Sequence, residues 1–167
     1  GVATHASYEE YLESLEQTMH IECNNYNALQ RIHQLFAKTN QFNATTKRYT
    51  SEELSGFMND KKSDLYSFRL ADKYGDMGLV GAALVIKDHK WHSARLDSFI
   101  MSCRVIGKRA EYAFIRHIAS RLRESGYGEM IVEYRRTQKN DIVYQMYKSL
   151  AESDCVIEND VALWALN

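Results

Sequence analysis

The chain has 167 residues, 45% of them hydrophobic and 26% charged, and a formal net charge of −1. That balance suits one domain with a real core and argues against disorder, because a chain of ~150 residues buries roughly two thirds of its unfolded surface. No apolar run approaches the ~20 residues of a membrane span, and the near-neutral total gives no nucleic-acid footprint for the whole chain. Three cysteines, Cys23, Cys103 and Cys155, are too few and too odd in number for a disulfide framework, which favours a reducing, cytoplasmic setting. The opening Gly1-Val2-Ala3-Thr4-His5 has neither an initiator Met nor a signal pattern and reads as a cut from a longer protein.

In chain order, Ser7–Glu16 reads as a short acidic helix, so residues 1–16 are expected to be a connector from an upstream domain, with one domain over 17–167. Gln17–Asn25 can pair as an edge strand. Leu29, Ile32, Leu35 and Phe36 recur at helical spacing. Thr50 followed by Glu53 is a capping box that opens a second helix, with Leu54, Phe57 and Met58 facing inward. Between these helices, residues 38–49 form a long polar connection dense in side-chain donors, a type of loop that more often carries function than not. Three strands follow, Asp64–Leu70, Leu79–Lys87 and Arg95–Ser102, separated by turns at 75–78 and 88–90. Ala110, Phe114, Ile118 and Leu122 form the stripe of a long helix ending near Gly126. Glu129–Arg135 is a strand, Asn140 opens a last helix, and Cys155–Ile157 with Val161–Leu166 close as a hairpin. The order β-α-α-β-β-β-α-β-α-β-β predicts a mixed α/β (α+β) sheet covered on both faces. It resembles the GCN5-related N-acetyltransferase (GNAT) fold of acyl-CoA N-acyltransferases, in which an acyl thioester lies in a gap between the splayed middle strands.

Charge is unevenly spread. Residues 1–25 hold five Glu and no Lys or Arg, whereas Arg104 to Arg123 holds six basic residues against one Glu. Arg104-Val105-Ile106-Gly107-Lys108-Arg109 lies between a strand and a helix, where free backbone N–H groups and the helix dipole favour an anion. It is similar to the GNAT pyrophosphate loop, Q/R-x-x-G-x-G/A, with Arg104 and Gly107 in the fixed positions and Arg109 in place of the second Gly. The resemblance therefore implies cofactor contacts from Arg104, Val105, Gly107, Lys108 and Arg109. It also implies pantetheine binding by Asn140 and protonation of a leaving thiolate by Tyr147. On the residues alone, these two are equally an N-cap and a core-edge tyrosine.

Four segments narrow the resemblance: 38–50 (KTNQFN-A-TT-K-RYT), 76–81 (D-M-GLVG), 102–107 (SCRV-I-G) and Lys139-Asn140. From about Glu10 onward they resemble the C-terminal domain of FkbH-like proteins. In that family a haloacid-dehalogenase-type domain precedes this one, and the pair loads a glyceryl group onto an acyl carrier protein. The resemblance implies a transferase domain that binds a phosphopantetheine arm, carrier-borne or as coenzyme A. Its partners would be the carrier and the upstream domain, and it would use no metal, membrane or nucleic acid. Asn40, Gln41, Asn43 and Arg48 would be the substrate donors. Cys103, beside Arg104 and ahead of a helix N-terminus, is a candidate transient acyl acceptor, although a lone strand cysteine is more often a small buried residue. An acetyl-coenzyme A-dependent N-acetyltransferase and a non-catalytic carrier-docking module are the alternatives. No carboxylate stands out in the sequence as a base for an amine. His20-x-x-Cys23 has ligand spacing but no second pair, so no metal site is predicted.

Overall fold

The structure, a computed structural model, describes residues 5–151 and 154–166. The elements are α1 (His5–Ser14), β1 (Thr18–Cys23), α2 (Leu29–Lys38), α3 (Ser51–Asn59), β2 (Ser63–Asp72), β3 (Gly75–Asp88), β4 (Ser93–Met101), α4 (Ala110–Glu124), β5 (Glu129–Tyr134), α5 (Asp141–Leu150), β6 (Val156–Glu158) and β7 (Val161–Leu166). They form one seven-stranded sheet in the order β1-β2-β3-β4-β5-β7-β6, antiparallel except for the β4–β5 pair. The sequence-based elements all appear, most within two residues of their expected bounds.

Strand alternation sends successive side chains to opposite faces, and both faces are covered. Ala82, Leu84 and Ile100 meet Ile32, Leu35 and Phe36 of α2 and Leu54 of α3. Val80, Ala83, Val85, Leu96 and Phe99 point the other way, onto Phe114 and Ile118 of α4 and Val143 and Tyr147 of α5. α3 starts on the expected capping box: Thr50 accepts from Glu53 N, and the Glu53 carboxylate accepts from Thr50 N. Such a box stabilises a helix start by ~1 kcal/mol. Gly81 is needed for close approach, because a Cβ there would lie 1.9 Å from the Phe68 ring.

Residues 1–4 of the expected connector lie outside the described residues. Within that segment Tyr8, Glu9 and Leu15 meet the rest of the domain. Leu15 is buried, and its carbonyl accepts from Lys73 N at 2.8 Å.

β4 and β5 pair in parallel only from Ser93↔Glu129 to Leu96↔Val132, and both strands run on beyond that point. This divergence is the organising feature of the site.

Candidate functional site

The sheet opens after Leu96 and Val132, and a segment of the α2–α3 connection fills the opening. Ala44 N donates to Phe99 O and Met101 N to Phe42 O, each at 3.0 Å, so the free edge of β4 is taken by residues 42–44. On the other side, Arg135 N donates to Ala44 O at 2.8 Å. Phe42 stacks obliquely on Phe99, with centroids 5.2 Å apart.

Asn140 ties this plug to the end of β5. Its Nδ2 donates to Asn43 O and Arg135 O, both at 2.9 Å, and its Oδ1 accepts from Tyr134 Oη and Thr137 N. The side chain is wholly buried and offers no cap bond to α5. Every polar atom of the amide is therefore used within the protein.

The loop donors proposed from sequence behave in the same way. Asn43 is buried, donating to Thr39 O and accepting from Thr46 N. Arg48 donates to Phe36 O, Thr39 O and Asn40 Oδ1. These contacts make Asn40, Asn43 and Arg48 internal staples of the connection. Gln41, exposed like Asn40 and Arg48, is the member of the set whose side chain makes no hydrogen bond among the described residues.

Tyr147, seven residues into α5, is fully buried between Phe99 and Trp164, and its hydroxyl has no hydrogen-bond partner among the described residues. An unpaired buried hydroxyl costs ~1–3 kcal/mol. Burial, together with the negative charge of Glu133, pushes its pKa well above the ordinary phenol range, so it stays protonated.

The anion loop follows β4. Ser102 caps a single 3₁₀ turn at Cys103–Val105, and Cys103 is exposed at its head. Arg104 donates to Met77 O at 2.6 Å, so its guanidinium is committed to β3. Gly107 and Arg109 both take left-handed backbone, at φ 90° and 61°. Arg109 stands at the start of the 15-residue α4, which has no side-chain cap. Its first-turn N–H groups are therefore the natural anion donors. α1 lies across the loop: Glu9 pairs with Arg109 at 2.9 Å, and the Tyr8 ring sits under that guanidinium. The Tyr8 hydroxyl would be 3.3 Å from a Cβ on Gly107. Lys108 faces Asp72 at 3.7 Å.

The α2/α3 side of the same divergence holds a cleft of about 750 Å³ that sequence reasoning missed. Two carboxylates form its floor. Leu84 pairs with Ser98 and Val85 with Leu96, which leaves Asp97 as the extra residue of a β-bulge. Asp97 and Glu133 come directly after the last β4–β5 pair, on the face away from α4 and α5. Lys47 Nζ bridges them, 2.6 Å from Asp97 Oδ1 and 2.7 Å from Glu133 Oε2. Tyr49 donates to Asp97 Oδ2 at 2.7 Å, Ser98 donates to the same oxygen, and Arg95 approaches Glu133 at 3.3 Å. Burial alone would lower the pKa of the Lys47 ammonium, but its hydrogen bonds and ion pairs with both acids outweigh that and raise it. Burial and the Asp97 carboxylate hold the Tyr49 phenol far above its usual range. The available signal was one acid inside each of two largely buried strands, Asp97 after Ala94-Arg95-Leu96 and Glu133 after Met130-Ile131-Val132. Among the described residues no group of His, Cys, Asp and Glu could hold a metal ion.

No protein-family model and no curated protein matches the chain. Solved structures do match. The PaiA N-acetyltransferase of Thermoplasma acidophilum in complex with coenzyme A superposes with a TM-score of 0.71 at 9% identity, covering 90% of this chain and 99% of that one. The ribosomal-protein-S18-alanine N-acetyltransferase of Escherichia coli gives 0.64 at 14%, over 89% and 93%. The spermidine/spermine N-acetyltransferase SpeG of Vibrio cholerae gives 0.57 at 15%, over 90% and 92%. At these identities the likeness is one of fold: the chain has the GNAT acetyltransferase fold.

Proposed function

We propose that this domain is an acyltransferase whose thioester donor enters the β4–β5 divergence from the α4 side and whose acceptor occupies the α2/α3 cleft. The carrying observation is Tyr147: a fully buried hydroxyl without a partner among the described residues, on α5 and packed against Phe99 of β4, is what a leaving thiolate would need. The residues fit a pantetheine thioester at two places, the uncapped start of α4 and the Tyr147 hydroxyl. Bound there, the thioester would supply an activated acyl carbonyl and a thiolate leaving group. Residues 42–44 would have to release Phe99 and Met101 for the arm to pair with β4. The first-turn N–H groups of α4 would hold phosphate oxygens, and Tyr147 Oη would give its proton to the departing sulfur. On the other side, Asp97 or Glu133 would take the proton of the acceptor.

A carrier-borne phosphopantetheine, with a small hydroxyacyl cargo of the glyceryl kind, is the preferred donor or product. Tyr8 and Glu9 cover the Gly107–Arg109 loop, where a free coenzyme would seat its diphosphate. The exposed Arg116 and Arg123 of α4 offer a basic face for an acidic carrier protein. Cys103, exposed at the head of the turn that follows β4, is the thiol to test for transient acylation. A second reading, an acetyl-coenzyme A-dependent N-acetyltransferase, gains from the Asp97–Glu133 pair, which supplies the base that the sequence did not reveal. Intact-mass analysis separates the two readings. Mass gain on a holo carrier protein, lost in Cys103→Ala or Tyr147→Phe, supports the first. Coenzyme release with small amines, and no change in the carrier, supports the second.

A further inference from the structure

The floor of the cleft carries its own ammonium. Lys47 reaches Asp97 and Glu133 from the wall, its side chain 30% exposed while theirs are 12% and 6% exposed. Two such carboxylates would bind an alkylammonium well, and Lys47 already is one. With Arg95 beside Glu133, the floor holds two acids and two bases and has no charge left to attract a cation.

The rim is positive. Lys62 and Lys90 line the cleft, are exposed, and form no ion pair among the described residues; Lys90 rests over the Trp91 ring at 5.3 Å. Asp88, the acid on this rim, accepts from the backbone N–H groups of Lys90 and Trp91 in the hairpin turn. Arg95 is half exposed and holds Glu133 through one long contact, so its remaining donors face the cleft.

We infer that Lys47 occupies the position a cationic acceptor would take, so that the cleft selects an anionic acceptor and rejects alkylammonium ones. The ligand class is a small carboxylate or phosphate monoester carrying a hydroxyl or amine. Arg95 and Lys62 hold its anionic end, and the nucleophilic end faces Asp97. Lys47 is then a specificity-determining residue, acting by filling a subsite. This rests on the cleft being the acceptor side of an acyltransferase.

Calorimetric titration of the full chain without any acyl donor tests it, with inorganic phosphate, succinate and cadaverine as separate probes. The wild type is expected to bind phosphate or succinate and not cadaverine, and the stronger of the two anions names the acidic group. Arg95→Gln with Lys62→Gln should weaken anion binding by roughly tenfold or more, and Lys47→Ala should gain cadaverine binding of similar size. Cadaverine binding equally to wild type and Lys47→Ala, or anion binding unmoved in the Arg95/Lys62 variant, would overturn the inference. If Lys47→Ala fails to fold, the wild-type cadaverine titration and the Arg95/Lys62 variant decide it alone. Anion binding that holds while no acyl thioester is turned over would sink the acyltransferase reading and leave this site standing. Wild-type turnover with cadaverine as acceptor would sink this inference and leave that reading.

Discussion

The two sides of the β4–β5 divergence are built on opposite rules. On the α4/α5 side the space is closed and apolar, filled by Phe42, Phe99, Phe114 and Tyr147, and the Tyr147 hydroxyl has no partner among the described residues. On the α2/α3 side the space is open and charged, yet each floor acid is held by a base. Unpaired buried polar atoms are few in native proteins and each asks for an explanation. The Tyr147 hydroxyl is one of three among the described residues, with Gln17 Oε1 and Glu111 Oε2, and it is the one whose ring packs against Phe99 of β4, whereas the floor acids are paired. The acids point to chemistry through their place, directly after the last β4–β5 pair. The contrast suits a transferase that must exclude water from one substrate and admit the other from solvent.

The strongest way to break the comparison is at Asp97. Asp97→Asn should lower the acyl-transfer rate roughly 10²–10⁴-fold if this carboxylate takes the acceptor proton, measured as initial rate at saturating donor. A rate within a factor of about three of wild type would leave the open side without a base.

Next in size is the tie between the sides. Asn140→Ala should cost about 3 kcal/mol in denaturant melts, because it strands Thr137 N and the carbonyls of Asn43 and Arg135 together and leaves Tyr134 Oη only its long bond to the residue-140 carbonyl. A loss under about 1 kcal/mol would mean that the plug is held by Phe42 packing and its backbone bonds to Phe99, Met101 and Arg135, without help from the Asn140 amide.

A smaller effect sharpens the electrostatics of the open side. The folded-state pKa of Lys47 is raised, so its contribution is complete below the ordinary lysine value of about 10.4 and is lost as pH climbs through the higher folded value. The melting-temperature gap between wild type and Lys47→Met should therefore stay constant from neutral pH to about 10 and narrow above it. A gap that closes between about pH 7 and 9 would show that the ammonium is not held by both carboxylates.

The fold was legible from local patterns. The Leu29–Phe36 and Ala110–Leu122 stripes, the Thr50–Glu53 box and the turn after Asp88 each act over a few residues, whereas the turn expected at 75–78 lies inside β3 and the chain reverses at 73–74 instead. The site was legible only in part. Asn140 and Tyr147 stood out through the resemblance to GNAT proteins, but a resemblance could not show that the Asn140 amide is fully occupied within the protein and the Tyr147 hydroxyl without a partner among the described residues. The donors of the 38–49 connection looked free because their acceptors, such as Phe36 O and Thr39 O for Arg48, are backbone atoms that no residue pattern reveals. Asp97 and Glu133 lie far apart in sequence, and a β-bulge aims the first of them. Bulge position depends on cross-strand register, which one strand's sequence does not encode.

The most direct test of the central claim uses Tyr147→Phe, with stability and chemistry measured on the same sample. Removing an unpaired buried hydroxyl should leave the melting temperature unchanged or slightly higher. Thiol release from an acetyl-carrier protein and from acetyl-coenzyme A should be seen with wild type for at least one donor and fall by roughly 10²-fold in the variant. Full thiol release by Tyr147→Phe, or none from either donor by wild type, would contradict the account.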